Sequence, residues 1–191
     1  MKIKTTVAAL AASSGVALFV ALPTAALAAK DYLVTAARPN LVFVMDAKER
    51  KVVKTHTIPN TSMGNSPITL VHSRDGKTAY VIHNRWETVS GIDLDSGKEV
   101  FRAELSGGDI RGKSPFPMDL SPDGKELAVY VNPTQLLPGE YKVMDPYIAI
   151  YRTDAGTDAE PVRKLKVPRR VSTLAWSAKG DTLYAFSWDM L

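Results

Sequence analysis

Histidines, carboxylates and cysteines are the side chains that most often bind metals, move protons or attack substrates, and in this chain they are sparse or scattered. The three histidines, His56, His72 and His83, form no i,i+2 or i,i+4 pair that could share a metal ion. Asp46, Asp93 and Asp123 each open a polar turn, where a carboxylate accepts backbone N–H bonds, so they read as turn formers and not as general acids. Cysteine is absent, which excludes disulfides, haem attached through C-x-x-C-H and any cofactor cross-linked through sulfur. Neither a phosphate-cradling glycine loop nor a nucleophile elbow is present. The residues therefore point to no catalytic, cofactor-binding or metal site on this chain. What stands out is a set suited to contact: Arg38, His83, Asn84, Arg85, Trp86, Asn132, Tyr141, Arg169 and Arg170. Taken singly, each reads as a solvated loop residue. Taken together, with two large aromatics among polar and cationic neighbours, they have the composition of a subunit-docking face, provided the fold gathers them on one side.

The elements that would have to gather them repeat. Ser73-Arg-Asp-Gly-Lys-Thr-Ala-Tyr-Val81 recurs as Ser121-Pro-Asp-Gly-Lys-Glu-Leu-Ala-Val129 and as Ser177-Ala-Lys-Gly-Asp-Thr-Leu-Tyr-Ala185, with 48 residues from Gly76 to Gly124 and 56 from Gly124 to Gly180. A second phrase, a strand ending in acid before a polar turn, gives 47 residues from Asp46 to Asp93. Each period holds two Gly- or Asp-marked hairpins between short runs rich in Val, Ile, Tyr and Thr, so each is four antiparallel strands. Four strands every 45 to 50 residues is the signature of an antiparallel all-β propeller. The reading assigns three strands before residue 58, four over 68–105, four over 116–167 and two over 171–187. That leaves the propeller incomplete, with about three to four blades, and the chain is expected to be the front part of a longer one. The a–b turns and the early c–d turns are tight, whereas the connections 60–67, 107–115 and 132–146 on the opposite face are long, and long loops on a rigid scaffold are where binding tends to sit.

The amino terminus is of another kind. Lys2 and Lys4 precede an apolar run over residues 7–22, then Pro23 and the small-x-small site Ala26-Leu27-Ala28. The pattern predicts a signal peptide over residues 1–28, cleaved before Ala29, and a propeller domain over 29–191. The run is too short for a membrane anchor, which needs about 20 apolar residues, so the expected location is the periplasm, with no membrane span after cleavage. Cleavage removes two lysines and no acid, taking the formal charge from +4 to +2. A charge so close to balance does not suggest a nucleic-acid partner.

Five phrases carry a family resemblance: Asp31-Tyr-Leu-Val-Thr-Ala-Ala-Arg-Pro-Asn40, Tyr80-Val-Ile-His-Asn84, Gly91-Ile-Asp-Leu-Asp95, Ser121-Pro-Asp-Gly124 and Val131-Asn-Pro-Thr-Gln135. With Glu160-Pro-Val-Arg163 and Pro168-Arg169, they resemble the β subunits of quinohaemoprotein amine dehydrogenases, seven-bladed propellers of the broad YVTN class. The Ser-Pro-Asp-Gly phrase is generic to propellers; the Arg-Pro-Asn opening and the Asn-Pro-Thr-Gln stretch are more specific. The resemblance implies a periplasmic heterotrimer that oxidises primary amines to aldehydes. A dihaem cytochrome subunit would carry haem c, a small subunit the cysteine tryptophylquinone, and this cofactor-free propeller would help wall the quinone pocket. Length departs from the family, because seven blades need roughly 330 residues. The alternative is a stand-alone exported YVTN-type propeller that binds a ligand or protein without a redox role.

Overall fold

The computed structural model describes residues 31–62 and 64–188. The expected signal segment and its cleavage site lie outside the described residues. The first unit is an antiparallel meander of β1 (Tyr32–Ala37), β2 (Leu41–Asp46) and β3 (Lys51–Thr57). The second is a four-stranded sheet in chain order: β4 (Thr69–His72), β5 (Thr78–His83), β6 (Thr88–Asp93) and β7 (Glu99–Glu104). The third begins with a short β8 (Ile110–Lys113). It continues through β9 (Met118–Leu120), β10 (Glu126–Leu137), β11 (Glu140–Val143), β12 (Tyr147–Arg152) and β13 (Arg163–Lys166). Last come β14 (Val171–Trp176) and β15 (Leu183–Ser187), paired with each other. All ladders are antiparallel. These are the blades expected from the repeats, with boundaries within two residues of those read from the sequence except at the end of β10.

The recurring Ser-x-Asp-Gly phrase works in the same way each time. Ser73 Oγ donates to Asp75 and accepts from the Lys77 and Thr78 amides, and Ser121 repeats this with Asp123 and Glu126. Gly76 and Gly124 sit at φ +68° and +73°, a region a side chain would disfavour, which is why glycine recurs there. Asp46 accepts the Lys48 and Glu49 amides and Asp93 accepts the Ser96 amide and hydroxyl, so both act as the turn formers expected.

The blades pack face to face through three apolar layers. Val42, Val44 and Ile58 meet Ala79, Val81, Ile92 and Leu94 between the first and second. Tyr80, Ile82, Val89, Phe101 and Ala103 meet Met118, Leu127, Val129 and Tyr151 between the second and third. Ala128, Tyr130, Ile148 and Ile150 meet Val171 and Leu174 between the third and fourth. The middle layer is keyed by aromatic edges: Phe101 stands T-shaped to Tyr80 (5.6 Å, 78°) and to Tyr151 (6.1 Å, 83°). Gly91 on β6 makes room for them, since a Cβ there would lie 2.8 Å from the Phe101 Cβ.

The structure departs from the sequence reading in the long connections. Residues 107–115 and 132–146 are not open loops. β10 runs six residues beyond its blade, flanked on one side by β8 (Asn132↔Lys113 to Gln135↔Ile110) and on the other by β11 (Thr134↔Val143 to Leu137↔Glu140). The result is a three-stranded flap standing on the long-connection face. Its hairpin turns at Pro138-Gly139, with Gly139 at φ +80°. At the flap's root Gly112 is buried against the residue that follows β7, where a Cβ would collide with the Leu105 carbonyl oxygen.

Candidate functional site

The β5–β6 connection is four residues long and contorted. Asn84, Arg85 and Trp86 are consecutive residues at φ +51°, +58° and +74°, one turn of left-handed helix closed by the Trp86 and Glu87 amides on the His83 carbonyl. For non-glycine residues this conformation costs about 1–2 kcal/mol each, with Asn the most tolerant, so surrounding bonds must hold it. Asn84 supplies most of them. Its amide donates to Asn65 Oδ1 (2.6 Å), its Oδ1 accepts the Ser62 amide (2.8 Å), and its Nδ2 reaches Asn60 O and Thr88 Oγ1. On the other side the Trp86 carbonyl accepts the Ser114 amide and the Glu87 carbonyl accepts the Leu105 amide. Arg85 projects into solvent, and Trp86 is 37% exposed with Lys113 Nζ 5.8 Å above its ring.

Most of the residues expected on a docking face are joined by contacts along this side. Arg38, at the β1–β2 turn, donates to Ser66, in the same connection that supplies Asn65 to Asn84. Asn132 pairs in register with Lys113, the lysine over Trp86, and lies within β10 rather than in a loop. Tyr141, also expected in a loop, lies on β11 opposite Leu136 and is 78% exposed. Arg169 reaches the Met144 carbonyl and Asp145 at the flap's base. Arg170, next in chain, sits at φ +59° with its carbonyl accepting the Trp188 amide. Pairing and alternation place Arg111, Lys113, Asn132, Thr134, Leu136, Tyr141 and Val143 on one face of the flap. Below the turn, a cleft of about 420 Å³ is lined by Ser62, Asn84, Arg85, Glu87, Thr88, Glu104, Ser106 and Arg111.

His83 is the exception and corrects the sequence reading. It is the last residue of β5, fully buried, and offers nothing to a partner. It belongs to a buried polar layer between the first and second blades. His83 Nε2 lies 2.7 Å from Ser90 Oγ, which donates to Glu99 Oε1 at 2.5 Å. Glu99 pairs with Arg102, which also binds Glu104 and reaches the Asn60 carbonyl, while Thr88 donates to Glu104. The Ser90 proton is committed to the carboxylate, so His83 must donate from Nε2, and its Nδ1 is left without a partner. Desolvation, with the Arg102 charge second, lowers the His83 pKa from 6.5 to about 4 and keeps the ring neutral. Although Ser, His and Glu are all present, the carboxylate holds the serine and not the histidine, and Ser90 is fully buried. The arrangement is a clamp, not an activated nucleophile. A polar stripe at Thr88 and Ser90 on β6, facing Glu99, Arg102 and Glu104 on β7, was the available signal.

Among the described residues, no group of three or more His, Asp or Glu is placed to hold a metal ion, and no helix is long and apolar enough to cross a membrane.

No protein-family model matches the chain, and no curated protein matches it. Solved structures do. The WD40 β-propeller domain of Doa1 is 12% identical with a TM-score of 0.56 over 83% of this chain and 44% of that one. The WD40 domain of Toxoplasma gondii coronin is 15% identical, with a TM-score of 0.52 over 82% and 36%. A functionally unknown protein from Desulfotomaculum acetoxidans is 12% identical, with a TM-score of 0.52 over 76% and 39%. The likeness shows the fold: an antiparallel β-propeller. The chain spans less than half the length of these structures.

Proposed function

We propose that this chain is the cofactor-free propeller subunit of a periplasmic amine dehydrogenase of the quinohaemoprotein kind, exported by its signal peptide. In that role it helps wall the quinone pocket of a small partner subunit, while haem c resides on a dihaem cytochrome subunit. The observation that carries the reading is where its two most specific phrases fall. Arg38-Pro39-Asn40 forms the β1–β2 turn, tied to Ser66 and, through Asn40, to the Ile58 carbonyl and Thr61. Asn132-Pro-Thr-Gln135 forms the flap segment of β10. Both therefore build the long-connection face rather than generic blade strands. That face also displays Trp86 and Tyr141, large aromatics of the kind that anchor subunits.

Co-expression with the dihaem and small quinone-bearing subunits in a Gram-negative host tests the proposal. The expected result is a stoichiometric complex from the periplasm, with this chain starting at or next to Ala29, that reduces an artificial electron acceptor when given a primary amine. Recovery of the chain alone, with amine oxidation by the other two subunits unchanged in its absence, would overturn it.

A further inference from the structure

The left-handed turn displays an unneutralised cation. Arg85 is exposed, and its guanidinium has no ion pair or side-chain hydrogen bond among the described residues. Two carboxylates line the same cleft, yet both are engaged elsewhere. Glu87 is held by Arg111 (2.8 Å), by Ser106 (2.9 Å) and more distantly by Lys113, and Glu104 by Arg102 and Thr88. Arg85, Arg102, Arg111 and Lys113 stand against Glu87, Glu99 and Glu104, four cations to three anions, and the cation left unpaired is Arg85. Directly beside Arg85 stands the half-exposed Trp86, and beyond Lys113 the flap face continues with the exposed Leu136, Tyr141 and Val143.

We infer that this surface receives an acidic protein segment, a partner carboxylate docking on Arg85 with an adjacent apolar side chain on Trp86. The inference rests on the reading of this face as a subunit interface and adds the chemistry of what it meets. Charge complementarity selects the carboxylate, because a guanidinium binds a planar anion bidentately. The aromatic and aliphatic run along the flap selects a polypeptide over a small free anion, which would need none of it. The turn is suited to this use. Its left-handed backbone is locked on both flanks, so Arg85 and Trp86 are already presented and little freedom is lost on binding.

The test uses the mature full chain and the co-expressed partner subunits, with association measured at low and moderate NaCl. Arg85→Gln is expected to weaken binding at low salt by tenfold or more, to flatten the salt response and to leave the melting temperature unchanged. Arg85→Lys should recover part of the loss. If Arg85→Gln binds like the wild type with the same salt response, the acidic segment is wrong while the subunit reading stands. If the wild-type chain binds neither subunit, the reading itself fails and this inference with it. Tight binding of a single-stranded oligothymidylate that is lost in Arg85→Gln would assign the cation to a nucleic-acid backbone and overturn the proposal.

Discussion

Lowering the pH from 8 to 5 should destabilise the propeller through His83. With a folded-state pKa of about 4 against an ordinary 6.5, the unfolded chain takes up a proton in this interval and the folded chain does not. The depressed pKa therefore contributes stability that is complete above 6.5 and is lost as pH falls toward 4. A shift of that size corresponds to roughly 3 kcal/mol in all, of which about 2 kcal/mol is lost by pH 5, at 1.36 kcal/mol per unit. Hydrogen bonds hold Asp75, Asp93, Asp123, Asp154 and Asp181 below the usual carboxylate range, so their contribution to the pH dependence falls on the acid side of this window. His83→Gln keeps an Nε2 donor within reach of Ser90 and removes the titration. Urea unfolding at pH 8 and pH 5 should show the wild type losing about 2 kcal/mol and the variant far less. Equal losses in the two proteins would refute the buried-neutral assignment, as would a wild type more stable at pH 5.

Three further outcomes follow from the same geometry. Trp86→Ala, at a side chain more than a third exposed, should lower the melting temperature of this chain only slightly while weakening subunit association by about 2 kcal/mol, and a large loss of stability with unchanged affinity would remove it from the interface. Gly112→Ala should force the flap root off the Leu105 carbonyl, seen as faster amide exchange over β8 and β11 with the blade strands of β5 and β6 still protected. Phe101→Ala should cost about 3–5 kcal/mol in urea unfolding, because it opens the aromatic layer between the second and third blades.

The blades were legible because their signals are local. A Ser-x-Asp-Gly turn needs one glycine at positive φ and one serine hydroxyl within five residues, and strand alternation needs only neighbours in sequence. The flap has a local signal in Pro138-Gly139 between Thr134–Leu137 and Glu140–Val143, but Pro133 is unfavourable inside a strand and hides the pairing. β10 tolerates Pro133 because that position needs only its carbonyl, which accepts the Met144 amide. The left-handed turn could not be read. Nothing in Asn84-Arg85-Trp86 demands that conformation, which depends on bonds from Asn60, Ser62, Asn65, Leu105 and Ser114, residues 18 to 28 positions away in sequence.

The same dependence explains why His83 lies inside while Arg85 and Trp86 are exposed. Residues 83 and 84 straddle the end of a strand, and alternation sends the His83 side chain inward toward Ser90 just as the chain leaves the blade. The buried clamp and the exposed turn are then one structure seen from two sides. The Asn60 carbonyl accepts from Arg102 in the clamp and from Asn84 in the turn, and Thr88 donates to Glu104 while accepting from Asn84. A face presented this way is held by the blade interface beneath it and not by the loops alone. Arg102→Met, which breaks the Glu99–Arg102 pair without substituting any residue a partner would touch, should therefore reach Arg85 and Trp86 through two shared atoms, the Asn60 oxygen and the Thr88 hydroxyl, seen as faster amide exchange at Trp86 and Glu87; unchanged exchange there would refute the link.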